Sequence, residues 1–213
     1  MLRSLMGLYI FLKVILHLLI LHISNLIQGE KYMSHSFAFP VKVEGIETIS
    51  SYLQVIAGSI LIALCARIEI PLPFTPVPLT CQTLAILFLG ATLGSKKGAA
   101  CALLYLLEVV FGLPVLAGGV SNSLAFLGPR CGYLLGMPLQ AYIAGKLIEN
   151  KRSSSLRTGL CLTAACAAQL GLGLCGLVGF VGAENVLMMG LVPFIPGELL
   201  KVLVVTNYLK ARQ

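Results

Sequence analysis

The chain has 213 residues, 58% of them hydrophobic and only 11% charged, with a mean hydropathy of +0.95. Soluble domains carry roughly a quarter charged residues, so this composition excludes a soluble globular protein and defines an integral membrane protein. The formal charge of +7 does not imply nucleic acid, because Lys and Arg stand in small clusters between apolar runs, where they act as topology signals. The apolar runs do not alternate in polarity, which excludes an outer-membrane barrel.

About 20 apolar residues are needed per helical crossing, so the length allows roughly six or seven. Leu5 to Ile27 is apolar but interrupted by Lys13, His17 and His22, and is followed by a polar run. No small-x-small cleavage site closes it. It is expected to be at most a peripheral extra helix, with Met33 a credible start, and residues 1–50 form an N-terminal extension and cytoplasmic tail. The expected core, residues 51–210, is an all-α bundle of six transmembrane helices. The first runs from Ser51 to Ile68, where Ala57, Gly58, Ser59 and Ala63 form a small-residue face suited to close helix approach.

Pro71 to Gln82 then reads Pro-Leu-Pro-Phe-Thr-Pro-Val-Pro-Leu-Thr-Cys-Gln. Four prolines fix φ and remove N–H donors, so neither neighbouring helix passes through. Its polar atoms, on Thr75, Thr80 and Gln82, suit a pocket edge better than lipid. Helices are expected at Gln82–Leu93, Gly98–Phe111, Cys131–Ile148, Leu156–Val181 and Glu198–Lys210. Val115–Arg130, rich in Gly and Ser, is expected as a loop at membrane depth. Lys96, Lys97, Lys146, Lys151, Arg152, Arg157, Lys210 and Arg212 fall on one side of this topology, and Arg67, Arg130 and Lys201 on the other. The cation asymmetry places both core termini in the cytoplasm. The proline stretch, the glycine-rich loop and the start of the last helix then share the outer face.

Pro196-Gly197-Glu198-Leu199-Leu200-Lys201 is the strongest local signal. A carboxylate in the first turn is favoured by the helix dipole, and residues three apart share a helix face. Ionisable groups in membrane segments are costly and mark function by default, though an ion pair that only orients the helix is the alternative. Arg130 follows Gly128-Pro129; a guanidinium there suits an acidic ligand or lipid phosphate. Asn122 offers a donor and an acceptor, and Tyr105, Tyr133 and Phe74 offer flat faces. Glu108, alone in an apolar run, is expected to make a polar contact inside the bundle. Seven scattered cysteines show neither metal-ligand nor disulfide spacing. No phosphate-binding loop or nucleophile motif is present, so an ATP-driven process would need another subunit.

Four motifs in order carry a family resemblance: Phe74 to Thr83; Gly112-Leu113-Pro114-Val115 with Ala117-Gly118-Gly119; Gly128-Pro129-x-x-Gly132-Tyr133-Leu134-x-Gly136; and Pro193-Phe194-x-Pro196-Gly197-Glu198-x-x-Lys201. Together they resemble BioY, the biotin-binding S component of energy-coupling factor (ECF) transporters, across about Ser51 to Lys210. The resemblance implies a non-enzymatic substrate-capture subunit in the bacterial inner membrane, without cofactor, working with a transmembrane T component and ATPase subunits. Those partners would dock on the face around Ala57, Ser59 and Ala63. Glu198 stands where the family usually has Asp, Arg130 where Thr is common, and Glu108 where a small residue is common. The candidate substrate-binding set is Glu198, Lys201, Asn122, Arg130, Tyr133, Tyr105, Phe74, Thr75 and Gln82. Either Lys201 or Arg130 could meet a ligand carboxylate. The alternatives are an S component for another vitamin or small heterocyclic acid, and a proton-coupled secondary carrier.

Overall fold

The computed structural model describes residues 44–148 and 154–212, and Gly45 onward forms one unit. The leading hydrophobic segment, the Met33 start and the cations Lys151 and Arg152 lie outside the described residues.

Helix α1 spans Glu44–Ala66, starting ahead of the expected Ser51 because no proline stands in this stretch to stop it. The proline segment closes a minimal hairpin, β1 (Glu69–Ile70) against β2 (Leu79–Thr80), antiparallel with Glu69 opposite Thr80. The prolines between have no N–H to extend the ladder. Cys81 N–H donates to the Ile68 carbonyl at 3.2 Å, leading the chain into α2 (Gln82–Leu93). Helix α3 (Ser95–Val110) follows after the single residue Gly94 at φ 87°. That left-handed conformation breaks the helix and restarts it three residues earlier than Gly98.

The glycine-rich loop contains two 3₁₀ turns, Ala117–Gly119 and Ser123–Leu127. Asn122 caps the second, its Oδ1 accepting from Leu124 N–H at 3.0 Å. Arg67 donates to the Pro114 carbonyl at 3.0 Å, tying the loop to the end of α1. Helix α4 (Cys131–Ile148) and α5 (Ser155–Val181) match expectation within one residue. A five-residue helix, α6 (Val186–Gly190), was not expected, and α7 (Ile195–Ala211) begins ahead of Glu198 with Pro196 in its first turn. Proline is favoured there because the first helical N–H groups have no intrahelical acceptor.

Helix α4 packs against α2, α3 and α5, and α7 lies on α2 and α5. Helix α2, only 12 residues long, is buried from Gln82 to Gly90, which is why its sequence is apolar on every side. Glycines permit the closest crossings: a Cβ on Gly98 of α3 would stand 2.7 Å from Gly90 Cα of α2. Among the described residues, three stretches are long and apolar enough to cross a membrane: Ile49–Ala66, Ser155–Val181 and Val186–Ala211. No more than a third of each is buried, so their exposed Leu, Ile and Val side chains require an apolar surrounding.

The small-residue face of α1 allows the close helix approach expected of it, and one of its positions is used inside the chain. Ser59 is fully buried, and its hydroxyl donates to Glu108 Oε1 of α3 at 2.7 Å. Gly58 backs onto Cys101 and Leu89. The small side chains let α1 approach α3, so Ser59 is spent inside the chain and is not presented to a docking partner. Glu108 makes the polar contact within the bundle that its sequence position suggests. Tyr52, Ile56, Ile60 and Leu64, four residues apart, form the exposed stripe of α1.

Candidate functional site

The three irregular segments meet at one partly open pocket. The proline stretch contributes Val77, Pro78 and Thr80, and the glycine-rich loop contributes Leu116 and Ala117. The start of α7 contributes Phe194, Glu198 and Lys201, while α2, α4 and α5 supply the remaining wall.

Glu198 and Lys201 are 6% and 8% exposed and face one another one helical turn apart on α7. Lys201 Nζ donates to Glu198 Oε1 at 2.7 Å and to Thr83 Oγ1 at 2.6 Å. The Thr83 hydroxyl donates in turn to Glu198 Oε1 at 2.9 Å. This closed triangle fills Oε1 with two donors. Glu198 Oε2 is buried with no hydrogen-bond partner, and so is Gln169 Oε1 on α5. Both residues line the pocket. Buried acceptors are seldom left unpaired, because each forfeits its hydration. Two such acceptors face one pocket, where a ligand's donors can reach both; Gln140 Oε1 and Thr206 Oγ1, outside the lining, are buried and unpaired as well.

The wall is held by bonds that leave the side chains little freedom. Gln82 donates through Nε2 to Tyr105 Oη at 2.6 Å and accepts from the Thr80 hydroxyl at 3.0 Å. Tyr105 Oη then donates to the Val115 carbonyl at 3.0 Å. One phenol thereby links the start of α2 to the residue preceding Leu116 and Ala117. Tyr133 donates to the Gly190 carbonyl at 2.7 Å, and its ring lies 5.8 Å from that of Phe194. Gln169 Nε2 donates to the Tyr133 carbonyl at 3.2 Å. Val77, Tyr133, Leu170 and Phe194 make the apolar side of the pocket.

Of the residues expected at the site, Glu198, Lys201, Gln82, Tyr133 and Arg130 come together. Tyr105 is 0% exposed and sits behind the wall, a brace rather than a flat face. Phe74, at the tip of the proline hairpin, is 54% exposed and is not part of the pocket lining. Thr75 accepts from Val77 N–H at 3.3 Å within its own turn. Asn122 is occupied as a cap on the exposed side of its loop. None of these three lines the pocket. Thr83, Gln169 and Met137 line the pocket without having been singled out. A lone amide in the apolar α5 was the available signal for Gln169, by the same cost-in-membrane logic that marks Glu198.

A helical membrane bundle with a pocket that is apolar on one side and carries a buried acid–amine pair on the other defines a membrane protein that takes up a small polar ligand. Comparison gives the family: the sequence model of the BioY family matches residues 33–212, and the chain belongs to it. It is 35% identical over 168 residues to the biotin transporter BioY of Rhodobacter capsulatus, covering 68% of this chain and 86% of that protein. It is 32% identical over 162 residues to the biotin transporter BioY of Rhizobium etli, covering 71% and 86%. A crystal structure of the S-component for biotin from an ECF-type ABC transporter superposes with TM-score 0.68 and 25% identity, covering 77% of this chain and 93% of that one.

Proposed function

We propose that this chain takes up biotin, acting as the membrane-embedded capture subunit of an ECF-type transporter. The observation that carries this reading is the pair of buried, unpartnered acceptors Glu198 Oε2 and Gln169 Oε1 in one pocket. The ureido ring of biotin presents two N–H donors, which would complete both. Its carbonyl accepts the third proton of Lys201, whose other two are spent on Thr83 and Glu198. Val77, Tyr133 and Phe194 form the apolar wall for the thioether ring and alkyl chain, as binding pockets of this kind require.

Six crossings with both core ends in the cytoplasm put the pocket at the outer surface, where a scarce vitamin is captured. The chain has no nucleotide-binding loop, so a T component and ATPase subunits supply the energy. Ala57 and Ala63, half-buried on the flanks of α1, together with its exposed apolar stripe, are the positions left for a T component or lipid.

Calorimetry of biotin with the purified, detergent-solubilised chain tests the reading. Saturable one-to-one binding is expected, weakened in Glu198→Ala by at least the 1.5–3 kcal/mol of a charge-assisted hydrogen bond. Absence of measurable heat or retention at saturating biotin would refute it.

A further inference from the structure

We infer that Arg130 receives the carboxylate of the ligand, so that the pocket holds a monoanion with its neutral ring inward and its acid at the mouth. This rests on the biotin reading and decides which of two cations meets which end. Three charged side chains line the pocket: Arg130, Glu198 and Lys201. Lys201 is already neutralised by Glu198 at 2.7 Å. Among the described residues Arg130 has no carboxylate partner, and its one hydrogen bond is a long 3.4 Å contact from Nε to the Pro76 carbonyl. The lining therefore carries one uncompensated positive charge, on the guanidinium.

Position and electrostatics agree. Glu198, Lys201 and Gln169 are all buried, whereas Arg130 is half-exposed where the proline stretch meets the start of α4. A ligand carboxylate placed at Lys201 would lie beside the Glu198 carboxylate, a like-charge contact in a region of low dielectric. Placed at Arg130 it avoids that repulsion, keeps partial hydration and meets a planar fork able to bind both its oxygens. The buried end then remains free for a group that donates hydrogen bonds without carrying negative charge.

The test measures dissociation constants for biotin and its neutral methyl ester. The wild-type chain is expected to prefer the acid at least tenfold. Arg130→Met is expected to remove that preference by weakening the acid while leaving the ester unchanged; Arg130→Lys retains part of it. Lys201→Met is expected to weaken acid and ester alike. Ester binding reports that each variant still forms the pocket, and the wild-type acid-to-ester ratio stands even if Arg130→Met does not fold. Equal wild-type affinities would overturn the inference, as would a preference lost in Lys201→Met and kept in Arg130→Met. Failure of the wild-type chain to bind either compound would refute the biotin reading itself.

Discussion

Lys201→Met removes the counterion of a carboxylate that has no other charge partner among the described residues. Glu198 would stay buried with Oε1 held only by Thr83 and with Oε2 still unpaired. Breaking one side of a buried pair costs about 3–5 kcal/mol, most of it from the stranded charge rather than the lost bond. For a chain of this size that corresponds to a melting temperature lowered by roughly 6–20 °C. The double variant Glu198→Gln/Lys201→Met removes both charges and keeps nearly the same volume, so it should recover most of the loss. Biotin binding should stay weak in both, since neither has the acid–amine pair. The assay is a four-member thermal-unfolding cycle in one detergent, with biotin affinity measured alongside. A coupling energy below about 0.5 kcal/mol, the range found for independent sites, would show that the two side chains do not act as a buried unit and would refute the reasoning.

Tyr105→Phe keeps the buried ring but strands Gln82 Nε2 and the Val115 carbonyl; a stability loss of about 1–3 kcal/mol and faster biotin release are expected, read by unfolding and by dissociation kinetics. Gly98→Ala forces a methyl against the Gly90 backbone and should destabilise by about 1–3 kcal/mol. Gly171→Ala meets nothing within 4 Å and should be neutral or stabilising by up to about 1 kcal/mol, so of the two alanines only Gly98→Ala should lower the melting temperature. Ser59→Ala removes the hydroxyl that faces Glu108 and should cost about 1.5–3 kcal/mol, measured by the same unfolding assay.

The sequence by itself determined the solvent and the breaks. Low charge and apolar runs require a membrane, and four prolines between Pro71 and Pro78 forbid a helix there whatever packs around them. Glu198 and Lys201 were legible for the same local reason: helical periodicity puts residues three apart on one face. The structure decided the partners, because they come from elements far apart in the chain. Thr83 closes the triangle from a residue 118 positions before Lys201, and Gln169 brings its unpaired oxygen from α5. Tyr105 could be marked as notable but not as a brace, since its bonds to Gln82 and Val115 exist only once α3 stands between them. The face containing Ser59 shows the same limit: small residues announce a close approach, and only the packed bundle identifies α3 as what approaches.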